Sequence, residues 1–436
     1  MEFSDLGVAD WIINVCRVLQ INNPTKIQKE ALPLIYNGKH LIGKALTGSG
    51  KTVCYCWPIL QRLCSDPFGI YACVLLPTRE LVTQVSEQFH IFGAAIGLKL
   101  VQCVGGKDLT NQNAALASGP HVVIATPGRL ADHLRNPSNG IMKKFKQLKV
   151  FVLDEADHLL SKCFEPDLLT ILNNIPSASS GRQTLLFTAT ITPAITKLKD
   201  AFNASNNSQM LMVDGNPEEV VPKNLQQKYI FLPRRVHLVY LVYILSQNLK
   251  GKIGIIFTAT CRECQLVTST LETLEFSVTN LHSLHNQRRR NACLMKFRSA
   301  RASLLVATDI ASRGLDLPKV DFVINLNFPR TYEYYIHRVG RTARAGKQGL
   351  AISFVSERDI LSVHAIEEQL QQKLVAFELD EDKVLEKISS VTKAIQKSLL
   401  FLEEIGFEEK VVELRHRRKR HFPFLEINKG EKVSCS

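Results

Sequence analysis

The sequence predicts an α/β protein of two tandem domains, each a parallel sheet flanked by helices, followed by a short helical and basic C-terminal tail. Three observations carry this. Short apolar runs of strand length alternate with longer amphipathic runs of helix length. The alternation lapses once, around "VDGNPEEVVPKN" from Val213 to Asn224, and then resumes. A length of 436 residues favours two or three domains over one.

In the first half the strand candidates are "HLIGKA" from His40, "ACVLLPT" from Ala72, "HVVIAT" from His121, "KVFVLDE" from Lys149 and "QTLLFTAT" from Gln183. Helix-like segments such as "ELVTQVSEQFHIFGAAI" lie between them. The polar, Gly- and Pro-bearing lapse reads as a linker. In the second half "KIGIIFTAT", "SVTNLHSLH", "SLLVATD", "DFVINLNF" and "LAISFV" repeat the pattern. The expected division is a first domain over 1–217, a linker at 218–222, a second domain over 223–380 and an extension over 381–436. The extension reads as helical through "VLEKISSVTKAIQKSLLFLEEIGF" and ends in "RHRRKRH". That run reads as a nuclear address, an RNA-binding tail or a solvated surface.

Composition narrows the class. Apolar residues make 45% and charged residues 22% of the chain, ordinary values for a globular protein. No apolar run is long enough to cross a bilayer, and the N-terminal segment lacks the basic region of a signal peptide. Eleven cysteines scattered through apolar stretches suit reduced thiols in a cytosolic or nuclear compartment. A formal charge of +13 points to a polyanionic partner, nucleic acid first.

Three motifs carry chemistry. "ALTGSGKT" comprises Ala45, Leu46, Thr47, Gly48, Ser49, Gly50, Lys51 and Thr52. It follows a strand and precedes a helix, the context in which Gly-rich backbone N–H groups cradle phosphates. Lys51 is placed to reach the β- and γ-phosphates, and Thr52 to ligate Mg²⁺. Ala45 holds the position where the common pattern has Gly. "LDEADHLL" places Asp154 at the C-terminal end of an apolar strand, where ligands bind in open α/β sheets. Asp154 reads as the carboxylate acting on Mg²⁺ through water, and Glu155 as the group that orients or deprotonates attacking water. Asp157 is expected to pair with a cation of a neighbouring element. "HRVGRTAR" supplies Arg341 and Arg344, spaced to share one helical face and to act as fingers on developing phosphate charge.

Together these residues resemble the DEAD-box RNA helicases of superfamily 2, over residues 1 to about 360. The resemblance implies two RecA-like domains that hydrolyse ATP with Mg²⁺ and bind RNA. It implies adenine recognition by the Gln28 amide and by stacking on Phe3, and contact of Asp316 with the ATP ribose. "PTREL" (Pro77, Thr78, Arg79), the pair Gly105 and Gly106, and "TPGR" (Thr126, Pro127, Gly128, Arg129) match RNA-backbone motifs. Phe257, Arg290, Thr308 and Arg313 match RNA motifs of the second domain. Thr188, Thr190 and His337 match motifs that couple the ATP and RNA sites. Gln20 stands where the adenine motif usually begins with Gly, Thr188 where Ser is usual, and Ser312 where Ala is usual.

By this resemblance the protein is expected to be an ATP-dependent RNA helicase that opens short duplexes or remodels RNA–protein complexes. A non-catalytic RNA clamp and a translocating helicase are the rival readings. The pattern looks closest to a nucleolar subgroup active in ribosome biogenesis. It implies pre-rRNA as partner, protein activators in pre-ribosomal complexes, a monomer without membrane association, and a nuclear, nucleolar location. "CREC" (Cys261, Cys264) has no second pair at zinc spacing, and His282 and His285 read as structural or RNA-facing.

Overall fold

The computed structural model describes residues 2–46, 48–136, 140–205, 209–215, 221–222, 224–309, 320–343 and 348–413. They divide into two compact units at Asn224. Most of the expected linker therefore lies outside the described residues, as do Thr47, Ser312, Arg313, Asp316, Arg344 and the basic run from Arg415.

In the first unit the apolar runs become β1 (His40–Lys44), β2 (Ala72–Leu75), β3 (Leu100–Cys103), β4 (Val122–Ala125), β5 (Val150–Asp154), β6 (Gln183–Thr188) and β7 (Met210–Asp214). They form one seven-stranded sheet in the order β3-β4-β2-β5-β6-β1-β7. Every pairing is parallel. Helices cover both faces, so the central strands have no solvent side and read as continuous apolar runs. Alternate residues feed opposite cores: Val150 and Val152 enter one cluster, Phe151 and Leu153 the other. Gly43 faces Phe187 across the β1–β6 pairing. A Cβ at Gly43 would stand 2.7 Å from the Phe187 ring, so only glycine leaves room for it.

The second unit repeats the plan with β8 (Leu225–Phe231), β9 (Gly254–Thr258), β10 (Val278–Leu281), β11 (Leu304–Thr308), β12 (Phe322–Asn325), β13 (Gly349–Val355) and β14 (Val375–Ala376). Their order is β10-β11-β9-β12-β13-β8-β14. The C-terminal helices Glu381–Leu385 and Ile388–Glu404 pack on helices His237–Gln247 and Cys261–Thr273. Val384 and Val391 join the core of this unit, so that part of the expected extension is built into it. No helix among the described residues is long and apolar enough to cross a membrane.

Candidate functional site

The C-terminal ends of β1, β5 and β6 lie side by side in the middle of the first sheet, and the chemistry gathers there. After β1 the chain turns through Gly48 and Gly50, at φ +86° and +84°. These left-handed values suit glycine and aim the turn into helix Lys51–Ser65. Lys51 is buried, and its ammonium donates to the Ala45 carbonyl at 2.7 Å, inside the turn it serves. Ser49 Oγ is buried without a partner. A cavity of about 340 Å³ opens over this turn, lined among others by Gln28, Lys51, Thr52, Asp154 and Glu155.

Gln28 is fixed from two sides. Its Oε1 accepts from the Thr25 N–H at 2.9 Å, one arm of a capping box on helix Lys26–Tyr36, and its Nε2 donates to the Gly50 carbonyl at 3.3 Å. The amide is thereby tied to the phosphate-binding turn. Gln20 stands at φ +58°, just past helix Asp10–Val18, in the left-handed conformation that explains a preference for glycine there. Phe3 does not line the cavity. Its ring is buried in the core, edge-on to Trp57 at 5.3 Å, and Trp57 and Ile21 stand in the cavity wall instead. The apolar neighbours of Phe3 draw it inward, away from the cavity, where the resemblance implied stacking on adenine.

Asp154 ends β5 with both oxygens occupied. Tyr55 donates its hydroxyl to Oδ2 at 2.7 Å, and the Glu155 N–H donates to Oδ1 at 2.9 Å. Burial, then the neighbouring Glu155, pushes the Asp154 carboxyl up to about 6, against the pull of Lys51, Tyr55 and the Glu155 N–H. Glu155 is buried at φ +54°, and its Oε2 has no hydrogen-bond partner. Two buried carboxylates lining one cavity with Lys51, one of them with an orphaned oxygen, make a donor set that fits a hard divalent cation. The Thr188 hydroxyl donates to the Thr190 carbonyl at 2.8 Å, and the Thr190 hydroxyl to Asp157 Oδ2 at 2.7 Å. Asp157 is thus held by a hydroxyl of the β6 loop. The same bond ties the β6 loop to the turn carrying Glu155.

A second group lies at the same sheet edge, after β2, β3 and β4. Three helices start there, at Thr78, Asp108 and Thr126, the first two capped by those side chains, a set of N-termini suited to phosphate oxygens. The Thr78 hydroxyl accepts from the Leu81 N–H at 3.3 Å, and Pro127 occupies the first turn after Thr126. The Arg79 guanidinium lies against the pair Gly105 and Gly106, where a Cβ on Gly105 would meet it at 2.7 Å. Arg129 donates to the Lys107 carbonyl at 3.1 Å, and Gly128 lies beside the Asp167 carboxylate.

In the second unit Thr308 ends β11 with its hydroxyl buried and unpartnered. Arg290 follows Asn286, whose side chain caps helix Gln287–Arg298. Phe257 is fully buried in β9, beneath the Arg338 guanidinium at 5.3 Å, so only its backbone is left for RNA. That ring belongs to the core because β9 is central in its sheet. His337 and Arg338 sit on helix Tyr332–Val339, and Arg341 lies beyond its end. Gly340 closes the helix, and Thr342 bridges to Val320, so Arg341 does not continue the helical face expected of it. Its Nε donates to the His337 carbonyl at 3.2 Å. Arg338 is fixed by Asp309 at 2.6 and 2.9 Å and by the Asn327 carbonyl at 2.7 Å.

Tyr55 and Trp57 were not singled out by sequence. The Thr25-x-x-Gln28 spacing was a readable capping signal, whereas Tyr55 meets a carboxylate 99 residues away. Cys264 turns to the Val306 carbonyl in the core, which leaves "CREC" no shared ligand site.

The comparisons with known proteins agree with this geometry. Residues 25–198 match the family model "DEAD/DEAH box helicase", and residues 236–346 match "Helicase conserved C-terminal domain". The ATP-dependent RNA helicase dbp8 of Schizosaccharomyces pombe is 46% identical over 413 residues, covering 94% of this chain and 91% of that one. The probable ATP-dependent RNA helicase DDX49 of Homo sapiens is 44% identical over 414 residues, covering 94% and 84%. Among solved structures, S. cerevisiae Dbp5 bound to RNA and ADP BeF3 matches with a TM-score of 0.77 and 26% identity, over 90% of this chain and 99% of that one.

Proposed function

Because this chain belongs to the DEAD/DEAH box helicase family, we propose that the cavity of its first unit is the ATP site of an enzyme serving ribosome biogenesis. The chain is an ATP-dependent RNA helicase, an ATP-hydrolysing enzyme acting on RNA through two RecA-like units. The observation that carries the site assignment is the Lys51, Gln28, Asp154 and Glu155 set around one cavity. Lys51 and the N–H groups of the turn bind phosphates, and the fixed Gln28 amide reads adenine. Asp154 and Thr52 would hold Mg²⁺, which would supply positive charge beside the phosphates. Glu155 orients water, and Arg341 and Arg344 act on developing phosphate charge during turnover.

The capped helix ends after β2, β3 and β4, with Arg79 and Arg129, bind RNA by its backbone. Such contacts position a strand without reading its sequence. Arg290, Thr308, Arg313 and the backbone at Phe257 continue the path in the second unit, and Thr188, Thr190 and His337 couple the two sites. The finer reading is a monomer acting on pre-rRNA in the nucleolus, with protein activators from pre-ribosomal complexes. The catalytic division is 1–217 and 223–380.

The test is steady-state ATPase with and without single-stranded RNA. Wild type is expected to turn over ATP faster with RNA and to prefer ATP over GTP at low concentration. Lys51→Ala is expected to lose turnover, because the phosphates lose their cation. Near wild-type turnover in that variant would refute the assignment.

A further inference from the structure

In a parallel sheet, the residues that precede each strand stand in a row along one edge. In the first sheet that row, in strand order from β3 to β1, is Lys99, His121, Tyr71, Lys149, Arg182 and Lys39. Neighbours along it are spaced by about 4.8 Å. Lys39, Lys99 and Lys149 are exposed. Arg182 is only 7% exposed. Its Nη2 reaches Thr184 Oγ1 at 3.4 Å, its guanidinium lies 5.2 Å from the Phe151 ring centroid, and its buried Nε has no partner. No carboxylate neutralises it among the described residues. A buried cation without a counter-charge is costly, and each such orphan calls for an explanation.

An open cavity of about 800 Å³ adjoins it. His40 and Lys149 stand in the same wall, and Asp66 is the one carboxylate among its lining residues. His40 Nδ1 accepts from the Thr184 N–H at 3.0 Å, which leaves Nε2–H as the donor of a neutral ring. Phe68 and Tyr71 form an edge-on aromatic pair at 5.2 Å on the cavity's rim. Arg62 is already committed to Gln183 and to the carbonyls of Ile35 and Tyr36. The donors left for a ligand are therefore Arg182, Lys149 and His40.

We propose that this edge is a second phosphate-binding face for RNA, with Arg182 as its buried anchor. Lys149, Lys99 and Lys39 follow the backbone, and Phe68 offers a ring to a base. The face lies at the opposite end of the sheet from the phosphate-binding turn, about 15 Å away by the length of β1. It is thus distinct from the helix ends after β2, β3 and β4, and would hold a part of the same RNA that flanks the acted-on strand. Helix C-termini also reach this edge, and exposed lysines would complement their negative ends. That accounts for the lysines but not for a buried arginine beside an open cavity. RNA is favoured over an acidic protein because the chain already acts on RNA and because an aromatic pair accompanies the cations. The inference rests on the RNA reading and extends it.

The experiment uses the full chain and a single strand carrying 4-thiouridine, crosslinked and mapped by mass spectrometry. An adduct is expected on the peptide bearing Phe68 and Tyr71. It should weaken in Arg182→Gln and in Lys149→Glu, an exposed change that leaves RNA-free ATPase untouched. The salt slope of RNA binding should fall by about 0.7 for each phosphate contact removed. Adducts confined to peptides bearing Thr78 or Thr126 would overturn the proposal and leave the helicase reading intact. Loss of all adducts would instead count against the RNA reading itself. Inorganic phosphate raising the His40 pKa by NMR, with no RNA adduct there, would assign the cavity to a free anion and overturn the RNA source. Binding of polyglutamate with no RNA adduct there would overturn it in favour of an acidic protein.

Discussion

At the scale of single residues, the proposed ATP site turns on how one carboxylate is held. Asp154 Oδ2 takes the Tyr55 hydroxyl at 2.7 Å in a fully buried setting. A hydrogen bond to a charged acceptor contributes about 1.5–3 kcal/mol. Tyr55→Phe keeps the ring and removes that donor. It is expected to lower kcat/KM for ATP on the order of 10-fold, with a shifted Mg²⁺ dependence. An unchanged Mg²⁺ titration would show that the hydroxyl does not position Asp154. Lys51, Asp154 and Glu155 could be found by reading along the chain, because each motif is contiguous and follows an apolar strand. Tyr55 and Arg182 could not be. The first acts across 99 residues of sequence. The second sits one residue before a strand, where nothing local distinguishes an exposed arginine from a buried one.

At the scale of elements, termini and edges decide most of what the sequence concealed. β5 and β6 are buried throughout and β1 in all but its last residue, and they were legible as apolar runs. β3 is half-exposed at an edge, β8 has three polar residues in a row after Leu225, and β14 has two residues, so none gave a continuous signal. The end of helix Asp10–Val18 shows the same physics in a cap. Ile21 N–H returns to the Cys16 carbonyl at 2.9 Å while Gln20 adopts φ +58°. Left-handed backbone costs a side-chain-bearing residue about 1–2 kcal/mol, part of which glycine loses again as chain entropy. Gln20→Gly is therefore expected to stabilise the first unit by about 0.5–1 kcal/mol in urea unfolding. A fall in stability would contradict the strain.

At the end of β10, the His282 and His285 rings lie 3.8 Å apart at a tilt of 43°, and His282 approaches Gln265 Oε1 at 3.4 Å. Burial, then His285, Arg289 and Arg290, pushes the His282 imidazole down to about 3. Burial and the same two arginines push His285 down to about 4. Unfolded histidine titrates near 6.5, so the unfolded chain binds more protons between that pH and the folded values. The contribution is complete above about pH 6.5 and is lost as pH falls. By pH 5 the loss from His282 reaches about 2 kcal/mol. His282→Gln should flatten the decline in urea midpoint between pH 7.5 and 5, and an unaltered slope would contradict it.

At the scale of the whole molecule, a charge of +13 and two parallel-sheet units are proposed to serve one cycle, in which ATP holds RNA and hydrolysis lets it go. Glu155→Gln isolates that cycle. The change preserves shape and hydrogen bonding, removes the carboxylate proposed to orient water, and leaves in place Asp154 and Lys51, the groups proposed to bind nucleotide. The measurement is the dissociation rate of single-stranded RNA with ATP, at fixed salt, beside the ATPase rate of the same protein. Glu155→Gln is predicted to lose hydrolysis while releasing RNA more slowly than wild type does. A variant that stops hydrolysing ATP yet also loses its ATP-dependent hold on RNA would contradict the account.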